Sequence, residues 1–204
     1  MGLPSHPMGI AGRLTERLAA LYRYDAGRLE SPADHAKRRH LLGIFRERKH
    51  QVLVESGTYL GGTVAFMLPH ARKIVSVEIE PSLYEEARRR FAGEPKVELH
   101  LGDAAKLIPE LVAGIDQPAL IWLDGHFTGG VNTVRGEAVE PAPGILDSLA
   151  RLELPSGTTV VVDDLRLFGR GDGFPQLDEL AQAARAAFPH ATIAVGIDSL
   201  VIEA

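Results

Sequence analysis

The run Val52-Leu-Val-Glu-Ser-Gly-Thr-Tyr-Leu-Gly-Gly-Thr63 decides the fold. Val52 to Glu55 is apolar and β-branched up to a terminal carboxylate, the pattern of a strand buried on both faces. The chain then turns through glycines into Thr63-Val-Ala-Phe-Met-Leu68, which reads as helix. A strand, a glycine corner and a helix in immediate succession form the first part of a βαβ unit. Glycines at such a corner let a ligand approach the backbone, although a tight turn without a ligand would also use them. A dinucleotide fingerprint requires a second glycine where Tyr59 stands, and a P-loop requires a lysine where Thr63 stands. What remains is E-x-G-x-x-x-G-G, a carboxylate and glycines suited to a ligand with cationic groups rather than phosphates.

Outward from this run, short β-branched segments alternate with segments of helical period. The strands expected are Gln51–Glu55, Lys73–Glu78, Val97–Leu101, Ala119–Asp124, Thr158–Asp163, Ala191–Ile197 and Leu200–Glu203. Pro81–Phe91 is the clearest helix, with Tyr84, Ala87 and Phe91 on one face and Glu85, Glu86 and Arg88 to Arg90 off it. Pro109 is expected to split the helix that starts at Ala104. The turn at Asp198-Ser199 is too short for a helical crossover, so the last two strands should pair antiparallel. The expectation is an α/β protein, a Rossmann-like doubly wound sheet of seven strands, mostly parallel, ending in an antiparallel hairpin. This ground plan, with its glycine corner, resembles the class I S-adenosylmethionine-dependent methyltransferases.

The 204 residues are read as one domain, with residues 1–49 a helical cap segment and 50–204 the Rossmann-like core. In the cap, Ser31-Pro32 should open a helix whose apolar stripe is Leu41, Ile44 and Phe45. Lys37, Arg38, Arg39, Arg46 and Arg48 are read as its solvated face rather than as a nucleic-acid site. A net charge of -5 argues the same way against polyanions. There is no cysteine, which excludes thiolate catalysis and cysteine-ligated zinc. No signal peptide is readable in Met1 to Gly12 and no apolar run approaches about twenty residues, so no membrane partner and a cytoplasmic location are expected.

The resemblance implies that Glu55, Gly57, Thr58, Tyr59, Gly61 and Thr63 form the turn that holds S-adenosylmethionine, Glu55 serving its methionine end. Glu78 ends the second strand 21 residues after Gly57, close to the roughly 20-residue spacing of a ribose-binding carboxylate. Asp103, with Ala104 after it, matches the family's adenine-contacting position, and the same aspartate suits an N-cap.

Trp122-Leu-Asp-Gly-His-Phe-Thr-Gly-Gly130 places Asp124 and His126 at the carboxyl edge of the fourth strand, and Val162-Asp-Asp-Leu-Arg-Leu-Phe168 places Asp163 and Asp164 at that of the fifth. Asp124, Asp163 and Asp164 are oxygen donors of the kind a divalent cation such as Mg²⁺ prefers, although one of the pair could simply cap a turn. This resembles the metal-dependent O-methyltransferases of the macrocin and catechol type. The catechol type differs in having an amide for the last acid and a lysine where His126 stands. Asp124 and His126 are the expected catalytic residues, Asp124 also as a cofactor contact and His126 as general base if it is not merely structural. His35, His40, His50, His70 and His190 are assigned no role.

The connection Phe127 to Gly144 is long for a βα loop and is a candidate substrate lid. Thr128 to Gly130, Arg135, Glu137 and Glu140 either meet an acceptor or are solvated. The expected function is O-methyl transfer to a small-molecule acceptor. An aminopropyl-transferring enzyme and a non-catalytic cofactor-binding module stay open on the same fold, and so does a homodimer.

Overall fold

A computed structural model describes residues 32–125, 136 and 138–204. Its seven strands, β1 (Val52–Ser56), β2 (Lys73–Glu78), β3 (Val97–Leu101), β4 (Ala119–Leu123), β5 (Thr159–Val162), β6 (Thr192–Val195) and β7 (Leu200–Glu203), form one sheet in the order β3-β2-β1-β4-β5-β7-β6. All pairings from β3 across to β5 are parallel, whereas β7 runs antiparallel to both β5 and β6. β1, β4 and β5 are buried throughout, which explains why their sequences read as unbroken apolar runs.

Helices cover both faces. α1 (Asp34–Glu47), α2 (Gly62–Met67) and α3 (Pro81–Arg90) pack on one side, where Leu41, Phe45, Val64, Met67 and Ala87 meet Leu53, Ile74, Leu120, Trp122 and Val161. α4 (Ala104–Ala113), α5 (Ala142–Leu149) and α6 (Leu177–Ala187) pack on the other, against Val54, Val75, Ile121 and Val160. Strand side chains alternate between faces, so residues 53, 55, 122, 161 and 163 share the α1–α3 side. Strand order reverses between β1 and β4, and the crevice at their carboxyl ends is the usual ligand site of an open α/β sheet.

Three local expectations need correction. α1 starts at Asp34 with Ala33 as a cap that makes no side-chain bond, so Pro32 precedes the helix, and Ser31 lies outside the described residues. α4 is continuous through Pro109, because its stripe Ala104, Ile108 and Val112 is anchored on the sheet on both sides of the ring. α5 begins at Ala142, inside the stretch read as loop. No helix among the described residues is long and apolar enough to cross a membrane.

Candidate active site

The glycine corner sits where the tips of β1 and β4 converge. Gly57 has φ +85°, and a Cβ there would come within 3.0 Å of the Asp124 carbonyl oxygen and the Gly125 Cα. Only glycine fits both the conformation and the approach of two backbones. The buried Ser56 fastens the same junction, its Oγ accepting from the N–H groups of Asp124 (3.1 Å) and Gly125 (3.0 Å). Gly61, with φ +69°, answers to a different neighbour: a Cβ there would meet the Phe91 ring at 2.6 Å. Its lack of a side chain thus serves packing against α3.

Glu78 connects this turn to β2. Its Oε2 accepts from the Tyr59 N–H at 2.7 Å and its Oε1 from the Glu80 N–H at 2.9 Å, leaving further lone pairs on both oxygens. Tyr59 has φ +48°, an uncommon conformation for a bulky residue, and its ring is exposed. Strained residues of this kind concentrate at ligand sites. Asp103 caps α4 by accepting from the Ala105 N–H at 2.9 Å, with Ala104 as the first helical residue behind it. Thr63 is half-buried in the first turn of α2.

Two expected cofactor contacts are placed differently. The Glu55 carboxyl is 1% exposed and lies under the turn, where Oε1 accepts from Ser76 Oγ at 2.7 Å; Ser76 Oγ is in turn 2.5 Å from Thr58 Oγ1. Burial pushes the Glu55 carboxyl up to about 8, with Glu78 adding to the shift and the Ser76 bond opposing it. The Glu55 carboxyl and the Thr58 hydroxyl thus both face Ser76 rather than the open side of the turn. Both support the turn from beneath. Neither the role of Ser76 nor that of Ser56 was visible without the strand register that places Ser76 opposite Glu55.

The aspartates of β4 and β5 converge as expected. Among the described residues, one oxygen each from Asp124, Asp163 and Asp164 lies within 4.8 Å of the others. Asp163 is 2% exposed and its Oδ1 has no hydrogen-bond partner. Asp164 holds a left-handed conformation, φ +55°, tolerable for aspartate. Burial pushes Asp163 up to about 6, with Asp164 adding and Lys37 opposing; Asp124 is raised well above the usual carboxylate range by burial and by Asp163 and Asp164. Glu140, the one loop acid that is described, is buried, accepts from the Ala142 N–H at 2.8 Å and is pushed up to about 8 by burial and by Asp164 and Asp163. It is therefore part of the site's acidic wall rather than a solvated residue. His126, Thr128 to Gly130, Arg135 and Glu137 lie outside the described residues.

The main surprise is Lys37. It was read as part of a solvated face, yet it is 8% exposed, and its Nζ donates to Asp163 Oδ2 at 2.9 Å and to Asp164 Oδ1 at 2.5 Å. Asp198 Oδ2 is 3.8 Å from the same nitrogen, and Arg166 pairs with both Asp164 and Asp198. Burial works against the Lys37 charge, but Asp163 and Asp164 outweigh it and keep the ammonium protonated. The donor set has the right chemistry for a hard divalent ion, but a cation already sits on two of its three carboxylates. Asp163 Oδ2 and Asp164 Oδ1 are thus engaged by the ammonium, while Asp163 Oδ1 keeps no partner. The available signal was Lys37-x₃-Leu41-x₃-Phe45, which puts the lysine in line with the buried stripe of α1.

No protein-family model matches the chain, and no curated protein matches it in sequence. Solved structures do. The O-methyltransferase TomG from Streptomyces achromogenes, determined with SAM, superposes with a TM-score of 0.55 at 20% identity, over 96% of this chain and 89% of that one. An O-methyltransferase from Bacillus cereus in complex with SAH gives 0.57 at 14% identity, over 97% and 91%. The fold is that of the class I methyltransferases. The N-methyltransferase NodS from Bradyrhizobium japonicum shares it too, with a TM-score of 0.53 at 12% identity over 83% and 93%. The methyltransferase fold therefore does not choose the acceptor atom by itself.

Proposed function

We propose that this chain is an S-adenosylmethionine-dependent methyltransferase acting on a hydroxyl of a small molecule. The observation that carries the reading is the Glu78 carboxylate, buried at the tip of β2 and bonded to the strained Tyr59 amide of the glycine turn, at the switch-point crevice of the sheet; solved structures of the same fold were determined with SAM or SAH. Glu78 would accept the ribose hydroxyls, Asp103 would meet the adenine, and the backbone of Gly57 to Gly61 would pass along the methionine part. Thr63, at the start of α2, belongs to the same wall. Glu55 and Thr58 hold that turn in shape.

When bound, S-adenosylmethionine supplies an electrophilic methyl group on a sulfonium. The acceptor oxygen displaces it in line, the carbon–sulfur electron pair stays on sulfur, and the hydroxyl proton leaves to a base. We assign that base to His126, two residues beyond Asp124, and the orientation of the hydroxyl to Asp124 and Asp163 at the mouth of the crevice. The unpartnered Asp163 Oδ1 offers an acceptor for the O–H before transfer. The divalent ion expected on Asp124, Asp163 and Asp164 would require Lys37 to withdraw from two of them.

Calorimetric titration with S-adenosylmethionine tests the cofactor assignment. The wild-type chain should bind, and Glu78→Ala should weaken binding by about tenfold or more, as expected for removing a charged hydrogen-bond acceptor. A folded chain that shows no binding, or a Glu78→Ala variant that binds equally well, would exclude the reading.

A further inference from the structure

The position of the lysine carries a conclusion about the cation at this site. Lys37 is not a mobile surface residue that happens to rest on an acidic patch. Lys37, Leu41 and Phe45 form one buried stripe of α1, and the two apolar members are locked into the core beneath. The helix therefore delivers the ammonium to a fixed point, between Asp163 Oδ2 at 2.9 Å and Asp164 Oδ1 at 2.5 Å. A magnesium ion would need carboxylate oxygens at about 2.0–2.1 Å in near-octahedral array. A dication on those oxygens would stand close to the Lys37 ammonium, and the repulsion between the two charges in a buried site opposes joint occupancy. Withdrawing Lys37 would take from Asp163 its only ion-pair partner among the described residues, whereas Asp164 and Asp198 would keep Arg166.

We infer that Lys37 is the resident cation of the acidic cluster, standing where a divalent ion would have to stand, and that the chain orients its acceptor without a metal. This rests on the methyl-transfer reading for the acceptor but not for the ion chemistry. An ammonium group has three donors. Two go to Asp163 and Asp164, with Asp198 Oδ2 at 3.8 Å, and the third is assigned to the acceptor oxygen, whose developing negative charge the ammonium would stabilise. Bond changes are as above: oxygen takes the methyl group, sulfur keeps the electron pair, and the proton goes to the base.

The experiment is a Mn²⁺ titration of the full chain followed by electron paramagnetic resonance, on wild type, Lys37→Met and Lys37→Arg, each checked for folding by circular dichroism. Wild type and Lys37→Arg should leave millimolar Mn²⁺ free, and Lys37→Met should bind one ion. If Lys37→Met is unstable without metal, Mn²⁺ should raise its melting temperature while leaving that of wild type unchanged. With an acceptor in hand, wild-type turnover should withstand a chelator, whereas Lys37→Met should lose about a hundredfold in kcat, the usual loss on removing one stabilising donor, and recover in part with Mn²⁺. Stoichiometric Mn²⁺ binding by wild type, chelator-sensitive turnover, or a Lys37→Met variant that gains no affinity for Mn²⁺ would overturn the inference. Parallel titration with S-adenosylmethionine keeps this separate from the cofactor assignment, since the Mn²⁺ outcomes do not depend on methyl transfer.

Discussion

At the scale of single residues, the buried acid Glu55 has the clearest measurable consequence. Its carboxyl is raised from an ordinary 4.5 to about 8, chiefly by burial, so the folded chain holds a proton there that the unfolded chain releases above about 4.5. At Glu55 the folded state binds more protons across that interval, so the contribution of this residue to stability falls as pH rises from about 4.5 to about 8 and then levels off. Glu55→Gln keeps the oxygen that accepts from Ser76 Oγ and removes the titration. Its expected effect is a gain of upwards of about 1 kcal/mol at pH 9 with little change at pH 5. Urea denaturation at the two pH values measures this, and an equal change at both would show that Glu55 ionises normally. The residue was legible in the sequence as important. Its direction was not, because a carboxylate at a strand end looks the same whether it faces a ligand or the Ser76 hydroxyl.

At the scale of elements, the glycine turn is held from two sides. Gly57 is pressed against the backbone of the β4 tip, and Gly61 against the Phe91 ring that follows α3. Both have positive φ, so alanine costs about 1–2 kcal/mol at either from conformation alone. At Gly61 the added methyl also meets an aromatic side chain, and overpacking of that kind adds about 1–3 kcal/mol. Gly61→Ala with Phe91→Leu should therefore be less destabilised than the sum of the two single changes. No side-chain change should rescue Gly57→Ala, since its obstacle is the main chain of Asp124 and Gly125. Double-mutant cycles from urea melts read both cases; strict additivity for Gly61 and Phe91 would remove the packing account. The E-x-G-x-x-x-G-G pattern identified a corner that needs glycine, and the fold shows that its two glycines are needed for different contacts.

At the scale of the whole molecule, the crevice is assembled from β1, β2, β3 and β4 together, so a ligand bound there should stabilise the chain as a unit. S-adenosylmethionine at a hundred times its dissociation constant should add about 2.7 kcal/mol to unfolding. Trp122, the single tryptophan and 3% exposed on central β4, reports this by fluorescence. Its transition should shift together with the far-ultraviolet dichroism, and a shift in one signal alone would mean that the ligand acts on part of the fold. The sequence by itself determined the number and position of the strands along the chain, the antiparallel end of the sheet and the acids at the strand tips, because alternation and helical period are local properties that burial writes into neighbouring residues. What those acids face was decided only by the tertiary structure. Lys37 and Asp163 are 126 residues apart, and they meet because the strand order sets β5 beneath α1. Likewise, burial turned Glu55 and Thr58 into supports of the glycine turn and Glu140 into part of the acidic wall. A charge pattern along a chain specifies which groups are available, whereas their partners and their protonation follow from packing at long range.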